Sequence, residues 1–376
     1  MCMALKIGVD IRALDTPFTT GVDSYLRNIL AVWLKAGNNH QFKLFGTKRL
    51  SADKLVQDFV AAGHKFFGQP LPSKIFNGSM RFLTRPKMDE VVGGVDIFFF
   101  PNPMFHALSV FVPSVLTVHD LSAERFQPIY SLKRNLWHKL VDTRREAQRA
   151  KAIIAVSGST ARDLGDLYKI DSQKIHVVPL GVSQVNQMTE RAMKLPNDYI
   201  LYIGSVEPRK NVLALLKAFE LLQNKFSDLH LVLAGSFFPQ KDRAALGAAF
   251  RTKNVLILGQ VGDAEKRELY QRAKICVLPS FYEGFGLPII EAQSLGTPVI
   301  ASTNSSMPET SGCAAILVNP LNVTELKQAL DVLLTNQALR DTLIGRGREW
   351  ASRFTWQKTA DATLNILEQA AIGFRN

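Results

Sequence analysis

The stretch Ser280–Ala292 reads SFYEGFGLPIIEA and joins a glycine-rich turn to the start of a helical pattern. The apolar run Ile275–Pro279 before it has the composition of a short buried strand, and the helical spacing after it stops at Gly296. Pro288 suits the first turn of a helix. Because unpaired backbone N–H groups and the helix dipole favour an anion at a helix N-terminus, we expect this turn to bind a phosphate group.

Two glutamates, Glu283 and Glu291, stand in this stretch with seven residues between them. Carboxylates repel phosphate, so we expect both to face hydroxyl groups instead. A glycine-rich turn between a strand and a helix is common in α/β proteins and is by itself a weak signal. The complete string, with GFGLP between the two glutamates, closely resembles the signature of family 4 glycosyltransferases, and further matches occur along nearly the whole chain.

The resemblance implies the GT-B architecture, in which two Rossmann-like parallel-sheet domains of an α/β protein face each other across a cleft and the C-terminal helix crosses back to the first domain. A length of 376 residues also fits two domains better than one. We expect an N-terminal acceptor-binding domain and a C-terminal nucleotide-sugar domain, with boundaries at 1–183, 184–198 for a polar linker, 199–355 and 356–376 for the crossover helix.

The net charge of +12 is unevenly distributed, because residues 1–183 carry 24 Lys and Arg against 15 Asp and Glu. The densest basic segment, Arg125–Lys151, interleaves arginines and lysines with Tyr130 and Trp137. Such a segment is typical of a helix on an anionic membrane surface, and equally of a solvated helix packed by its apolar face. No nucleic-acid-binding pattern accompanies the charge, so nucleic acid is not expected as a partner.

Several features predict a cytoplasmic protein at the inner face of the cytoplasmic membrane. The three cysteines, Cys2, Cys276 and Cys313, have no paired spacing and indicate a reducing compartment. The N-terminal apolar run is too short for a signal peptide. The uncharged stretch 97–118 contains three prolines, so we interpret it as two buried strands rather than a membrane span.

A pair of cations, Arg209 and Lys210, follows the predicted strand YILYIGS, which ends near Gly204. At a strand-to-helix turn they are placed to reach the phosphate expected at the glycine turn, although two solvated charges would give the same pattern. Many family members have an arginine directly after the glycine and a lysine five residues later. Here Ser205 replaces that arginine and Lys210 matches that lysine, and PRKN resembles a mannosyltransferase-like branch.

Two residues of the first domain are candidates for the site. His119 ends the predicted strand SVLTVHDL, where ligands bind in doubly wound sheets, and the family has a histidine near the reacting sugar at the matching position. Gly21 lies in the turn after the first strand and would allow close approach of a ligand. The alternatives are a purely structural role for His119 and a simple helix start at Gly21. The sequence does not assign secondary structure to the region 50–88, which fits either acceptor binding or membrane contact.

The chemistry expected is transfer of a sugar from a nucleoside diphosphate, which needs negative charge on the leaving diphosphate to be stabilised. By resemblance, Glu291 binds the ribose, Glu283 binds the sugar, and the loop 259–261 lies against the base. No Asp-x-Asp motif is present, so no metal and no cofactor is predicted. The catalytic candidates are His119, Glu283, Lys210 and Arg209. The donor-binding candidates are Gly21, Gly204, Arg209, Lys210, Val261, Glu283, Gly284, Phe285, Gly286, Leu287 and Glu291.

The strings PRKN, YEGFGLPIIEA and SSMPE together look most like bacterial polysaccharide mannosyltransferases, which favours GDP-mannose as donor. A saccharide linked to polyprenyl diphosphate is the expected acceptor, as in O-antigen or exopolysaccharide synthesis. UDP-sugar donors remain an alternative within the same fold. A catalytically silent scaffold or partner protein is the alternative from another class, and a nucleotide-sugar epimerase has no support in the sequence.

Overall fold

The computed structural model describes residues 4–16, 20–37, 39–126, 132–182, 193–236 and 253–375, with the side chains of 132–135, 138 and 375 excepted. The chain divides into two compact units, of which the first comprises Met1–Gly181 with Trp356–Asn376 and the second Val182–Thr355. Most of the expected linker, residues 184–192, lies outside the described residues.

The first unit contains a parallel sheet of seven strands in the order β3-β2-β1-β4-β5-β6-β7. Its central strands are continuous apolar runs buried on both faces, as expected where helices cover both sides of a parallel sheet. The strands are β1 Lys6–Asp10, β2 Gln41–Gly46, β3 Lys65–Gly68, β4 Ile97–Phe100, β5 Ser114–Val118, β6 Ala152–Ala155 and β7 Ile175–Val177.

The helices of this unit alternate with the strands and supply the apolar faces that cover the sheet. They are α1 Gly21–Lys35, α2 Lys54–Ala61, α3 Ser73–Phe82, α4 Met88–Val91, α5 Ser122–Arg125, α6 Leu132–Val141, α7 Thr143–Arg149 and α8 Gly158–Tyr168.

The uncharged stretch 97–118 forms β4 and β5, as predicted. No described helix is long and apolar enough to cross a membrane. The region 50–88, which the sequence left unassigned, forms α2, the edge strand β3 and α3. β3 is only four residues long and half-buried, so it lacks the long buried run that reveals the central strands.

The second unit contains a parallel sheet of six strands in the order β10-β9-β8-β11-β12-β13. The strand order reverses between β8 and β11, which makes the carboxyl ends of these two strands a topological switch point, where α/β sheets bind ligands. The strands are β8 Tyr199–Ile203, β9 His230–Ala234, β10 Val255–Gly259, β11 Ile275–Leu278, β12 Val299–Ser302 and β13 Ala315–Val318.

Among the described helices of the second unit, those that follow β8 and β11 begin at the switch point. The bounds are α9 Val212–Glu220, α10 Asp263–Arg272, α11 Leu287–Ser294, α12 Met307–Ser311, α13 Val323–Thr335 and α14 Gln337–Ala351.

The C-terminal helix α15, Trp356–Arg375, packs in the first unit, as the resemblance implied. The buried Trp33 indole on α1 donates a hydrogen bond to the carbonyl of Ala360 at 3.0 Å. His40 lies 2.8 Å from the Glu368 carboxylate, and the Thr359 hydroxyl donates to the Pro179 carbonyl at 2.8 Å. These contacts make α15 part of the first unit's core.

Candidate active site

Two loops meet at the switch point of the second unit, one after β8 and one after β11. Arg209 and Lys210 lie in a single helical turn, Pro208–Lys210, directly before α9. The backbone N–H of Phe281 donates to the Arg209 carbonyl at 2.9 Å, which ties the two loops together. The structure thus brings the cation pair to the glycine turn, as the sequence predicted.

The carboxylate of Glu283 is the centre of this cluster and is 6% exposed. The Lys210 ammonium lies 2.5 and 2.6 Å from its two oxygens, and the Arg209 guanidinium lies 3.4 Å away. The buried hydroxyl of Ser280 donates a further hydrogen bond at 2.7 Å. The nearest partners of Glu283 are thus two cations and one hydroxyl, and its predicted role at the sugar stays a prediction.

Opposing effects set the pKa of Glu283. Burial raises this pKa because the charged form loses hydration. The charges of Lys210 and Arg209, with hydrogen bonds from Lys210 and Ser280, outweigh burial and hold the pKa below the usual glutamate value. At neutral pH the side chain is therefore ionised and can only accept hydrogen bonds.

Although Arg209 and Lys210 are adjacent in the sequence, their side chains differ in burial and in the groups that they contact. Its guanidinium is buried, pairs with Glu207 at 2.7 Å and donates to the Tyr282 carbonyl at 2.8 Å. These contacts fix the loop after β11 against the loop after β8, so Arg209 holds the site together. Lys210 is more exposed, and its ammonium is the cation that a ligand can reach. The alternative of two solvated charges is wrong for both residues.

The glycine turn is held by side chains from the loop after β12. Ser305 accepts from the Glu283 N–H at 2.8 Å, and Ser305 and Ser306 both donate to the Glu283 carbonyl at 2.9 Å. Gly284 continues the turn, and Gly286 has φ of +92°, a left-handed conformation that side chains disfavour. The turn therefore presents the start of α11 in one fixed conformation.

The N-terminus of α11 lies beside the cluster, with Leu287 as its first helical residue and Gly286 as its N-cap. Pro288 has no N–H and the Ile289 N–H donates to the Gly286 carbonyl at 2.9 Å, so the N–H of Leu287 is the group at this terminus that is placed to meet an anion. Phe285 contributes only backbone, because its ring is buried 5.9 Å from that of Phe354 and its carbonyl accepts from Thr310.

Glu291 lies on α11 and faces α10. The Lys266 ammonium lies 2.5 Å from one carboxylate oxygen, and the Tyr270 hydroxyl donates to the other at 2.9 Å. Burial and the neighbouring Glu291 raise the pKa of Tyr270, so its hydroxyl keeps the proton that it donates. The predicted role of Glu291 at the ribose stays a prediction.

The strand ends beside β8 form the remaining part of the predicted donor site. Gly204 follows β8 with φ of +152°, and its N–H donates to the carbonyl of Ala234 at the end of β9. Gly259 ends β10, and its carbonyl accepts from the N–H of Gly235 at 2.6 Å. Val261 follows two residues later and packs, partly buried, against the core. Both predicted loops thus lie at the carboxyl edge of one sheet.

His119 follows β5 in the first unit and is held in one orientation. Its Nε2 lies 2.9 Å from the Pro101 carbonyl, and the Tyr25 ring meets it edge-on at 4.9 Å. Because a carbonyl oxygen only accepts, Nε2 carries the proton and Nδ1 is an acceptor. Burial lowers the pKa of His119, against smaller opposing effects from the Pro101 carbonyl and Asp120, so the ring is neutral at pH 7.

The lowered pKa of His119 predicts acid-dependent stability. As pH falls below about 6.5, the unfolded chain takes up a proton that the half-buried ring resists, so stability falls with pH. We expect the urea midpoint of the wild type to drop more between pH 7.5 and 5.5 than that of His119→Asn, which has no titrating ring. Equal drops in the two proteins would contradict this assignment.

Gly21 is the first residue of α1, and the hydroxyl of Thr20 before it caps the helix by accepting from the Asp23 N–H at 3.1 Å. A Cβ at Gly21 would meet no atom within 4 Å, and its backbone is not left-handed. The fold therefore does not require glycine here.

Replacement of Gly21 by alanine separates a donor-binding role from a structural one. We expect Gly21→Ala to leave stability unchanged or raise it by up to about 0.5 kcal/mol, because alanine restricts the unfolded chain. If close ligand approach needs the glycine, KM for the donor will rise although the melting temperature does not fall. An unchanged KM would remove Gly21 from the donor site.

Several residues that position the site were not predicted from the sequence. Glu207, Ser280, Ser305 and Lys266 all contact a predicted site residue. Their only sequence signal is proximity to the cation pair, to the glycine turn or to a strand end. Among the described residues, no group of three or more His, Cys, Asp or Glu side chains is arranged to hold a metal ion.

Two protein-family models match this chain, one in each half. A model described as Glycosyltransferase Family 4 matches residues 19–184, and one described as Glycosyl transferases group 1 matches residues 186–350. O-antigen chain mannosyltransferase B of Escherichia coli is 29% identical over 279 residues, covering 70% of this chain and 73% of the relative.

A longer relative and a solved structure are also similar to this chain. Serotype-specific mannosyltransferase WbdA of Escherichia coli is 28% identical over 266 residues, covering 66% of this chain but only 32% of WbdA. The crystal structure of Anabaena Alr3699/HepE in complex with UDP and glucose has a TM-score of 0.68 at 15% identity, covering 96% of this chain and 98% of that one. At this identity the similarity concerns the fold.

Proposed function

Because this chain belongs to the family 4 glycosyltransferases and has their GT-B fold, we propose that it transfers mannose from GDP-mannose to a saccharide acceptor, with retention of the anomeric configuration. Mannose is supported by the relatives, which are named as mannosyltransferases, and by the PRKN string at 208–211. The acceptor that fits best is a polyprenyl-diphosphate-linked saccharide of cell-surface polysaccharide synthesis.

The observation that carries the proposal is the contact of Lys210 with Glu283 beside the N-terminus of α11. A departing diphosphate gains negative charge in the transition state, and a preorganised cation with helix N–H groups stabilises that charge. Lys210 can bridge Glu283 and a phosphate oxygen, since an ammonium has three donors. Glu283, being ionised, then accepts from sugar hydroxyls or stabilises positive charge on the anomeric carbon.

In the proposed reaction, the bond between the anomeric carbon and the diphosphate oxygen breaks while the acceptor oxygen bonds to the same face of that carbon. The acceptor's proton passes to the departing phosphate oxygen. No enzyme nucleophile is needed, which is why retention does not require a second carboxylate as in retaining glycosidases. Lys210 and the Leu287 N–H supply the positive charge at the diphosphate, so the proposed transfer is independent of a metal.

Binding to an anionic membrane surface is the second part of the proposal. In the basic segment 125–151, α6 presents Leu136 and Trp137 to solvent, both more than a third exposed. Residues 127–131 lie outside the described part of the chain. A basic helix with exposed apolar side chains favours the membrane interface over the alternative of a fully packed surface helix. The proposed location is the inner face of the cytoplasmic membrane.

One experiment tests the reaction. The purified protein is incubated with GDP-mannose and a synthetic lipid-diphosphate-linked saccharide, with and without EDTA, and the product is examined by NMR. We expect a mannosylated product with the donor's anomeric configuration and equal yield in EDTA. An inverted product, a trapped glycosyl–enzyme adduct or loss of activity in EDTA would overturn the mechanism.

The second candidate is a UDP-sugar-dependent transferase of the same fold, favoured by the fold similarity to a protein solved with UDP and glucose. Transfer from a UDP-sugar and none from GDP-mannose would select it. No transfer from any nucleotide-sugar, with the protein folded, would favour the silent scaffold.

A further inference from the structure

A second cationic site lies in the first unit. A recess of about 40 Å³, with room for about three water molecules, opens between α3, the loop at 105–106 and the α6–α7 corner. Its lining includes three arginines from two elements, Arg81 of α3 and Arg145 and Arg149 of α7, together with two acidic residues. Its apolar lining comes from Met80, Phe105, Leu140 and Val141.

These arginines are not neutralised by nearby carboxylates. None of the three has an ion-pair partner among the described residues, and the buried Nε of Arg81 has no hydrogen-bond acceptor there. A buried donor without an acceptor costs about 1–3 kcal/mol, so such a group is unusual unless a ligand or water satisfies it. Arg145 and Arg149 are four residues apart on α7 and so share one helix face.

The two acidic residues at the recess are already engaged within the protein. The Glu146 carboxylate lies 2.6 Å from Nε2 of His106, whose ring stacks on Phe100 at 3.9 Å. The Asp142 carboxylate caps α7 by accepting from the Arg145 N–H. Both carboxylates therefore have partners within the protein, and the arginine side chains are the groups that a ligand would contact.

Exposed apolar side chains flank the same recess. Phe82 and Leu83 follow Arg81 directly and are 76% and 70% exposed. Trp137, which is also exposed, meets the lining residue Phe105 edge-on at 6.4 Å. Arginines without ion-pair partners, one of them with an unsatisfied buried donor, next to exposed apolar side chains fit a ligand that carries a phosphate on a hydrocarbon chain.

We propose that this recess binds the phosphate or diphosphate group of a lipid-linked acceptor, with Arg81 and Arg145 as its ligands and with Phe82, Leu83 and Trp137 in contact with the lipid chain. The proposal rests on the proposed function, because it assigns a subsite to that acceptor. Arginine suits this role since its planar guanidinium binds phosphate oxygens in pairs.

The test uses farnesyl diphosphate, inorganic pyrophosphate and farnesol as probes, with binding to the full-length protein measured by calorimetry. We expect farnesyl diphosphate to bind more tightly than either other probe. Arg81→Gln and Arg145→Gln should each weaken it about tenfold or more, as expected for loss of a charge-assisted hydrogen bond. The matched control, Arg49→Gln, removes an exposed arginine of the same unit and should leave the affinity unchanged.

The outcomes separate this proposal from the proposed function. Unchanged farnesyl diphosphate affinity in both recess variants would overturn the site, and pyrophosphate binding as tight as farnesyl diphosphate would overturn the lipid assignment. GDP binding is measured on the same variants and should be unaffected, because Lys210 lies in the second unit. If GDP fails to bind while farnesyl diphosphate binding depends on Arg81, the proposed function fails and the lipid-phosphate site stands.

Discussion

The Lys210→Met variant is expected to lose transfer activity by about 10²–10³-fold, the usual effect of removing one preorganised group that stabilises transition-state charge. The loss should appear in kcat as well as in kcat/KM, because negative charge on the diphosphate grows only as the bond breaks. Steady-state kinetics with the wild type and the variant measure it. Activity within threefold of the wild type would contradict the assignment.

The same substitution should destabilise the second unit by about 1–3 kcal/mol, because Glu283 stays buried with only Arg209 and Ser280 as partners. The double variant Lys210→Met/Glu283→Gln removes the uncompensated charge and should recover most of that stability without recovering activity. This combination separates lost catalysis from lost folding. A double variant as unstable as the single one would show that the pair is not coupled.

The contribution of Glu283 to stability depends on pH in a defined direction. The folded-state pKa of Glu283 is depressed, so its contribution to stability is fully present above the unfolded value of about 4.5 and is lost as pH falls through the folded pKa. In Lys210→Met the main opposing charge is absent and burial raises the pKa of Glu283. Acid unfolding of that variant should therefore begin at a higher pH than in the wild type.

The Gly235→Ala variant is expected to have the largest effect on stability, at about 3 kcal/mol or more. A Cβ at Gly235 would lie 2.0 Å from the carbonyl oxygen of Gly204, and neither atom belongs to a side chain that can rotate away. The backbone there also has φ of +133°, which side chains rarely adopt. The strand ends would have to separate, which displaces the loop that carries Lys210.

The matched control for this prediction is Gly259→Ala. Gly259 also has a positive φ, +73°, but a Cβ there would meet no atom within 4 Å. Only backbone strain of about 1–2 kcal/mol is expected. Urea unfolding of both variants measures the difference, and equal destabilisation would show that the contact with Gly204 is not the cause.

The sequence predicted the alternating α/β pattern and the proximity of Lys210 to the glycine turn. The first follows from the pattern of apolar runs, and the second follows from the topology of parallel sheets. Central strands such as β4 are continuous apolar runs, and loops at the carboxyl ends of adjacent parallel strands meet at one edge. The edge strands β3 and β13 were missed, since short, half-buried strands carry little apolar signal.

The electrostatic pairing inside the site was not predictable in the same way. Adjacent cations at Arg209 and Lys210 look equivalent in sequence, yet one is buried against Glu207 and the other contacts Glu283. Which carboxylate each cation meets depends on the path of the turn before α9 and on Ser280, neither of which has a periodic signature. The contact between Lys210 and Glu283 was therefore not predicted from the sequence.

The most direct test of the account is thermal unfolding of the wild type and Lys210→Met with GDP, UDP and ADP. A nucleotide at about 100 times its dissociation constant adds roughly 2.7 kcal/mol of stability. We predict that GDP raises the melting temperature of the wild type more than UDP or ADP does, and that Lys210→Met loses most of this shift. A GDP shift that is equal in the two proteins, or no shift with any nucleotide, would contradict a nucleoside diphosphate site at Lys210 and Glu283.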